Sequence, residues 1–365
     1  VLPYVNEKHV VRSKQDQRAV QLLEDKITRV DVGGIHHYAT PLLRADDTKF
    51  HAPKEAVLPT LKRTEKHLAT RPLLAEKHNE LIQKLVDADH VRILSREDAA
   101  NSEEPWYIPH HTVEHNEKVR LVFNCSFKYH SQILNEHLLP GPPLGASLLG
   151  VRLRFCQHAV AVSGDIKAIF HQVRLQPTER CLFRFLWRNM ETSTEPNIYE
   201  LQVLPFGATC SPCCATFALR KHAFDHQEKY PEVADAVDRS FYVDNCLVSL
   251  PQEDKAKTLV HNTRDLLAEG GFEIRQWASN VPSVVADLPP EARSDGCDLW
   301  LTYGETDSPE PMLGLQWNCG TDELQYRHRV VDYECLNLRN IYKTLASQYD
   351  PNGYLTPFTA RARVI

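Results

Sequence analysis

Apolar positions along this chain follow two different periods, and the changes between them mark out the elements. An amphipathic stretch, QDQRAVQLLEDKI, precedes short extended pieces in VGGIHHYATPLL. Residues 56–104 return to helical spacing, which places Leu73, Leu74, His78, Leu81, Ile82 and Leu85 on one face of a helix ending near Asp87. From Trp106 the pattern becomes β-like: YIPHHTV and KVRLVFNCS form a hairpin through EHNE, and GPPLGASLLGVRLRF reads as a turn followed by a helix. AVAVSGDIKAIFHQVRL opens with a strand that carries Asp165 at its end, followed by a turn and a second amphipathic run. CLFRFLW and IYELQVLPF are strands flanking the polar loop RNMETSTEPN, and SPCCATFALRKHAFDHQEKY is a helix with Pro212 in its first turn, where a missing N–H costs little. DRSFYVDNCLVSL has two β-rich halves around Val243, Asp244 and Asn245, with Asp-Asn a favoured pair for a tight turn. Residues 252–270 form an amphipathic helix closed by Gly270 and Gly271, FEIRQWASN is a strand leaving it, residues 281–310 read as an acidic surface insertion, and PMLGLQWN with ELQYRHRVV forms a last hairpin. Strands mixed with helices, without strict alternation, predict an α+β fold.

Composition narrows the class. At 365 residues the chain has room for two or three packed subdomains. Its 42% hydrophobic and 25% charged residues exclude a disordered chain, a collagen-like chain and a coiled coil. No apolar run approaches the ~18 residues of a membrane span, so no membrane partner is expected. Ten cysteines in 365 residues are too sparse for a disulfide scaffold and fit a reducing, intracellular setting, cytoplasmic by expectation. The TCSPCC cluster has spacing that suits zinc or redox chemistry, but it lacks a second Cys/His pair, and the Pro and apolar run predict buried, inert thiols at Cys210, Cys213 and Cys214. The chain starts without a Met and stops inside a helical pattern, which is the expectation for a piece of a longer protein.

The net charge of −6 argues against a nucleic-acid partner until it is read locally. Residues 105–230 carry 13 Lys+Arg against 10 Asp+Glu, whereas residues 231–324 carry 6 against 18. The acidity surrounds Asp244 and the insertion after it. Asp165 and Asp244 are the chemically pointed residues of this chain, because each follows an apolar run, AVAVSG or FYV, and a buried lone carboxylate costs several kcal/mol unless paired. Each alone reads as a turn or cap aspartate. Converging, they suit Mg²⁺, a hard cation held by one or two carboxylates with water and phosphate in its other positions.

The blocks VSGDIKAIFHQV, LPFGATCSPCCATFAL, FYVDN, GGFEIRQWASN and MLGLQWN resemble, in order, the palm motifs of reverse transcriptases. Upstream, YIPHHTV, KVRLVFNCS and LLPGPPLGASLLGVRLRF resemble the fingers of one branch, the polymerase of BEL/Pao-type LTR retrotransposons; downstream, IYKTLASQYDPNGYLTPFTARA is similar to its segment joining palm to thumb. The resemblance implies a right-hand polymerase with a ferredoxin/RRM-like antiparallel palm sheet. Its expected parts are a leader (1–55), a helical lead-in with fingers (56–160), a palm (161–324, with the acidic insertion 281–310) and a connection to a truncated thumb (325–365). It also implies RNA-directed DNA polymerase activity with two Mg²⁺ ions, or Mn²⁺ in their place, acting on a template-primer of RNA or DNA and on dNTP. The other polyprotein segments, a protease, ribonuclease H and integrase, would lie outside this chain, which would work in the element's cytoplasmic particle.

Residue by residue, the resemblance casts Asp165 and Asp244 as metal ligands and Phe170 as the aromatic residue that excludes a ribose 2′-hydroxyl. Arg120, assisted by Lys118, would meet the triphosphate, and a planar guanidinium suits that task. Phe206 and Gly207 would lie by the nascent base pair, and Leu313, Gly314 and Trp317 would grip the primer. Gln172 reads as structural, and His110 with His111 lack the further ligands of a metal site. Three positions depart from the family. Asn245 stands where the third metal-site aspartate is usual, and Asn124 where an Asp is usual. Gln276 replaces a lysine that protonates pyrophosphate, a task left to Arg275 or water since Gln is no general acid. Asn245 therefore carries the alternative expectation: a catalytically weakened or inactive retroelement relic that retains only nucleic-acid binding. A third expectation, a metal-dependent phosphohydrolase built on the same two aspartates, requires cleavage without a primer.

Overall fold

In the computed structural model, residues 13–115, 118–304, 309–326, 337–348, 350 and 353–364 are described. Helices and mainly antiparallel sheets are mixed, an α+β architecture. The chain divides into two compact units, one of residues 1–145, 168–229 and 266–273, the other of 146–167, 230–265 and 274–365.

The first unit begins with the helix Lys14–Lys26, started by a capping box in which the Ser13 side chain accepts from the Asp16 N–H and the Asp16 carboxylate accepts from the Ser13 N–H. The hairpin Thr28–Val32 and Ile35–Thr40 turns at Gly33 and Gly34, both at positive φ, and its second strand runs parallel to Arg174–Leu175. Tyr38, Leu42 and Leu43 are buried there, so this stretch is woven into the unit. The expected helical region is two helices, Lys54–Ala69 and Pro72–Asp87, broken at Thr70 and Arg71 and restarted by Pro72. Leu74, His78 and Ile82 form the buried stripe of the second helix; Leu73, expected on that face, is 83% exposed. Val91–Leu94, Asn197–Leu201 and Arg184–Trp187 make a three-stranded antiparallel sheet with Asn197–Leu201 in the middle. The hairpin His110–His115 with Lys118–Phe123 forms as expected.

The second unit is built on a four-stranded antiparallel sheet in the order Phe241–Tyr242, Asn245–Leu250, Val160–Ile166, Ile274–Ser279. Val160–Ile166 is central and almost wholly apolar up to Gly164, which is why it can be covered on both faces. Helices Leu148–Phe155 and Pro231–Arg239 pack on the Phe241–Leu250 strand pair, capped by Ser147 and started by Pro231 respectively. The helix Asp295–Tyr303, capped by Ser294, packs on Ile274–Ser279. Residues 281–310 therefore do more than extend the surface: Val284, Val285, Leu288 and Cys297 are buried. A three-stranded sheet, Glu310–Met312, Leu315–Asn318 and Glu323–Tyr326, contains the expected last hairpin, whose continuation at 327–331 lies outside the described residues. No helix among the described residues is long and apolar enough to cross a membrane.

Candidate active site

The second unit brings Asp165, at a strand end, beside Asp244, in the turn before the neighbouring strand. Asp165 is the penultimate residue of Val160–Ile166 and pairs in register with Asn245, while the Ile166 N–H donates to the Asp244 carbonyl at 2.7 Å. Tyr242 pairs with Asn245, so the turn consists of Val243 and Asp244. The expected Asp-Asn turn is thus displaced by one residue, because Asn245 gains two sheet neighbours by joining the strand. The displacement puts Val243, a β-branched residue, at φ 56. Such strain costs of order 1–3 kcal/mol and persists only where surrounding structure enforces it.

On the far side of Asp165, Arg275 is its register partner, and a bulge follows before pairing resumes at Ala278. Gln276 sits in that bulge at φ 56 with its side chain exposed. The bulge lays the buried Trp277 indole over Gly164, where an added Cβ would come within 2.9 Å of the ring. Gly164 thereby fixes the backbone one residue before Asp165, a role the sequence did not announce.

Both carboxylates are held in an environment that resists their charge. Burial, reinforced by Asp244, raises the Asp165 pKa to about 6, with Arg275 opposing the shift. Burial raises Asp244 as well, against its own backbone N–H and the Asn245 side chain. Asn245 Nδ2 donates to Asp244 Oδ1 at 2.7 Å. No group of three or more His, Cys, Asp or Glu that could hold a metal occurs among the described residues. The donor set is a two-carboxylate one, of hard oxygen atoms, which suits a divalent cation such as Mg²⁺.

The remaining residues of this unit anchor a hairpin. Leu313 and Gly314 form its two-residue tip at φ 45 and φ 89, and the buried Arg152 guanidinium donates to the Leu313 carbonyl. Trp317 is fully buried, edge-on to Phe155 at 5.0 Å, and its indole N–H donates to Asp322 at 3.0 Å. Trp317 thus holds the hairpin from inside the core. A cleft of about 510 Å³ in the same unit, lined by Arg154, His158, Asp235, Arg239, Asp254 and Lys255 among others, includes none of the expected site residues. The two carboxylates remain the better candidate, since burial opposes their charge while the cleft is a mixed-charge surface.

The first unit gathers a second set. Phe170, in the short turn Ile169–Gln172, meets Phe206 at 4.8 Å between ring centroids, and His171 meets Phe206 at 4.9 Å. Phe206 remains 41% exposed. Gly207 lies at φ 119 against the strand that carries Arg120: a Cβ there would come within 2.7 Å of the Phe123 carbonyl oxygen. Asn135, unremarked in the sequence, pins this loop by donating to the Gly207 carbonyl at 2.9 Å and accepting from the Thr209 N–H at 3.1 Å. Arg120 is exposed on Lys118–Phe123, opposite Val113. Lys118 pairs with His115. Asn124 is a turn residue whose Oδ1 accepts from the Ser126 N–H. Gln172 accepts from the Glu273 N–H at 2.6 Å, as a structural reading expects. His110 is buried against the Leu186 carbonyl, and Cys210, Cys213 and Cys214 are buried in the Ser211–Asp225 helix and its cap, with the Cys210 hydrogen bond and then burial pushing the Cys214 thiol well up.

Within the second unit, two half-buried carboxylates at one end of an antiparallel sheet define a candidate divalent-cation site. Residues 108–277 match the family model described as reverse transcriptase (RNA-dependent DNA polymerase), and that span contains Asp165, Asp244, Phe170, Phe206 and Arg120. No curated protein matches the chain.

Proposed function

We propose that this chain is the polymerase region of a BEL/Pao-type LTR retrotransposon polyprotein, an RNA-directed DNA polymerase with fingers, palm and partial thumb. The observation that carries the proposal is that Asp165, at a strand end, and Asp244, in the turn before the neighbouring strand, lie side by side, half-buried and with no ion pair among the described residues, inside the span that matches reverse transcriptases. The sheet Phe241–Tyr242, Asn245–Leu250, Val160–Ile166, Ile274–Ser279 would be the palm. Asp165 and Asp244 would hold divalent magnesium, or manganese in its place. Bound there, the ions supply Lewis-acid activation of the primer 3′-hydroxyl and charge neutralisation of the triphosphate.

In the reaction the 3′-oxygen bonds to the α-phosphorus of a dNTP, the bond to the bridging oxygen breaks, and pyrophosphate leaves while the hydroxyl proton passes to water. Arg120 and Lys118 would orient the triphosphate, with Arg120 exposed on its strand for that purpose. Phe170, braced by Phe206, would present its ring edge to the sugar and favour a deoxyribose. Gly207 would give the base pair close backbone approach. Arg275 would stand near the leaving pyrophosphate, where Gln276 offers no proton. Leu313 and Gly314, held by Arg152 and Trp317, would contact the primer.

A second reading, a relic that binds nucleic acid without extending it, is favoured by one observation: Asn245 supplies an N–H to Asp244 where a third carboxylate would supply charge. Primer extension on an RNA template with Mg²⁺ and with Mn²⁺ decides between them. Extension by the native chain that disappears in Asp244→Ala supports the polymerase. Extension only after Asn245→Asp supports the relic, and nuclease action without a primer overturns both.

A further inference from the structure

The two carboxylates already have counter-groups in the chain itself. The Asn245 amide N–H occupies Asp244 Oδ1, using acceptor capacity that a carboxylate shared between two cations would need. Asn245, Asp165 and Arg275 stand in one row across three neighbouring strands, since Asp165 pairs with both of the others. Directly paired residues of an antiparallel sheet present their side chains on the same face. Arg275 therefore shares the face of Asp165, acts on it as a positive charge, and has a buried Nε without a hydrogen-bond partner among the described residues.

Charge then limits occupancy. Asp165 and Asp244 offer −2 when ionised. One divalent ion together with the Arg275 guanidinium already exceeds this by one charge, and a second divalent ion would leave an excess of three. An aspartate at 245 would change that balance, but this chain has asparagine there. We infer that the site of this chain holds a single divalent cation on Asp165 and Asp244, with Arg275 supplying fixed positive charge where a second ion would otherwise sit. The inference rests on reading the two carboxylates as a metal site, and it departs from the two-ion expectation carried by the resemblance. Arg275 is on this account a positioning residue: it holds Asp165 and excludes a second cation.

A Mn²⁺ titration of the full chain at about pH 7.5, without nucleotide or primer and read from the spectroscopic signal of free Mn²⁺, tests this. One equivalent is expected for the native chain, and two for Asn245→Asp. Arg275→Gln should bind Mn²⁺ about fivefold more tightly or take up a second equivalent, as removal of a unit charge a few ångströms away would produce. Arg275→Lys, which keeps the charge, should behave as the native chain. Two equivalents of similar affinity in the native chain, no bound Mn²⁺, or an Arg275→Gln chain that folds and binds as the native one would each overturn the inference. If Arg275→Gln does not fold, Asn245→Asp still decides, because a single equivalent there overturns the charge argument. A native chain that binds one Mn²⁺ yet never extends a primer would defeat the polymerase reading and leave this one standing. Extension by a chain that binds two would do the reverse.

Discussion

Glu200 and Asp165 both lie on β-strands among apolar neighbours, yet they differ in how the chain answers their charge: Glu200 is held by direct guanidinium hydrogen bonds, whereas Asp165 has the Arg275 charge on its face of the sheet. In the first unit Glu200 is 1% exposed; Arg92 donates twice to its Oε1, at 2.9 and 2.6 Å, and the equally buried Arg184 donates to Oε2 at 2.9 Å. Glu65, 3% exposed, is clamped by both arms of Arg188 at 2.7 Å. In the second unit Asp165 and Asp244 receive one side-chain amide and a guanidinium charge, and burial works against their ionisation. The difference teaches what each carboxylate is for. A carboxylate whose lone pairs are filled by Arg is a fixed structural part, whereas one whose charge is opposed by burial is a candidate for holding a cation that arrives from outside.

The largest effect should come from breaking a completed pair. Glu200→Ala leaves Arg184 buried and uncompensated, a loss of about 3–5 kcal/mol that urea denaturation would register as an unfolded or barely folded chain. Stability close to native would show that the first unit does not depend on its internal ion pairs, and the contrast between units would fail.

His78 complicates the contrast from within the first unit. It is fully buried, packs on Trp187 at 4.4 Å and on His110 at 5.1 Å, and neither ring nitrogen has a hydrogen-bond partner among the described residues. Burial, with His110 and His111 adding repulsion, lowers its pKa to about 3, and burial lowers that of His110 to about 4. The unfolded chain binds these protons near pH 6.5 and the folded chain does not, so stability is complete above pH 6.5 and declines as the pH falls toward 4 and 3. Each histidine contributes a slope of up to ~1.4 kcal/mol per pH unit. His78→Phe should leave stability at pH 7 unchanged or slightly higher, since no bond is lost, and should recover about 2 kcal/mol at pH 5. Denaturation curves at the two pH values measure both, and an unchanged pH dependence would mean that His78 is not the acid-sensitive group.

Much of this arrangement was legible in the residues. The apolar run before Asp165 specified a strand, Pro212 sits in the first turn of its helix, and the hairpin of His110–His115 with Lys118–Phe123 followed from its alternation. Tertiary pairing hid the rest. The turn at Val243 and Asp244 contradicts local propensity because sheet pairing of Asn245 outweighs the strain at Val243. Leu73 lies at the start of its helix, where the buried stripe Leu74, His78, Ile82 has not yet reached it, and spacing alone could not tell an edge residue from a face residue. The short strand Ile35–Thr40 looked like a loose extended piece because its parallel partner, Arg174–Leu175, is 135 residues away. Gly164, Asn135 and Arg152 gave no signal at all, since each acts through close approaches or backbone hydrogen bonds rather than through a pattern.

The smallest effect, and the opposite sign, belongs to Asp165. Asn has the shape of Asp without its charge, so Asp165→Asn removes the group that burial and Asp244 both oppose. In metal-free buffer near neutral pH the variant should melt with the native chain or about 1–2 °C above it. Millimolar Mg²⁺ should raise the melting temperature of the native chain, because a ligand that binds only the folded state stabilises it, and should leave the variant unmoved. A metal-free Asp165→Asn chain that loses stability on the scale of Glu200→Ala would show that Asp165 is as structural as Glu200. An Mg²⁺ shift that survives the substitution would place the cation somewhere other than this pair of strand ends.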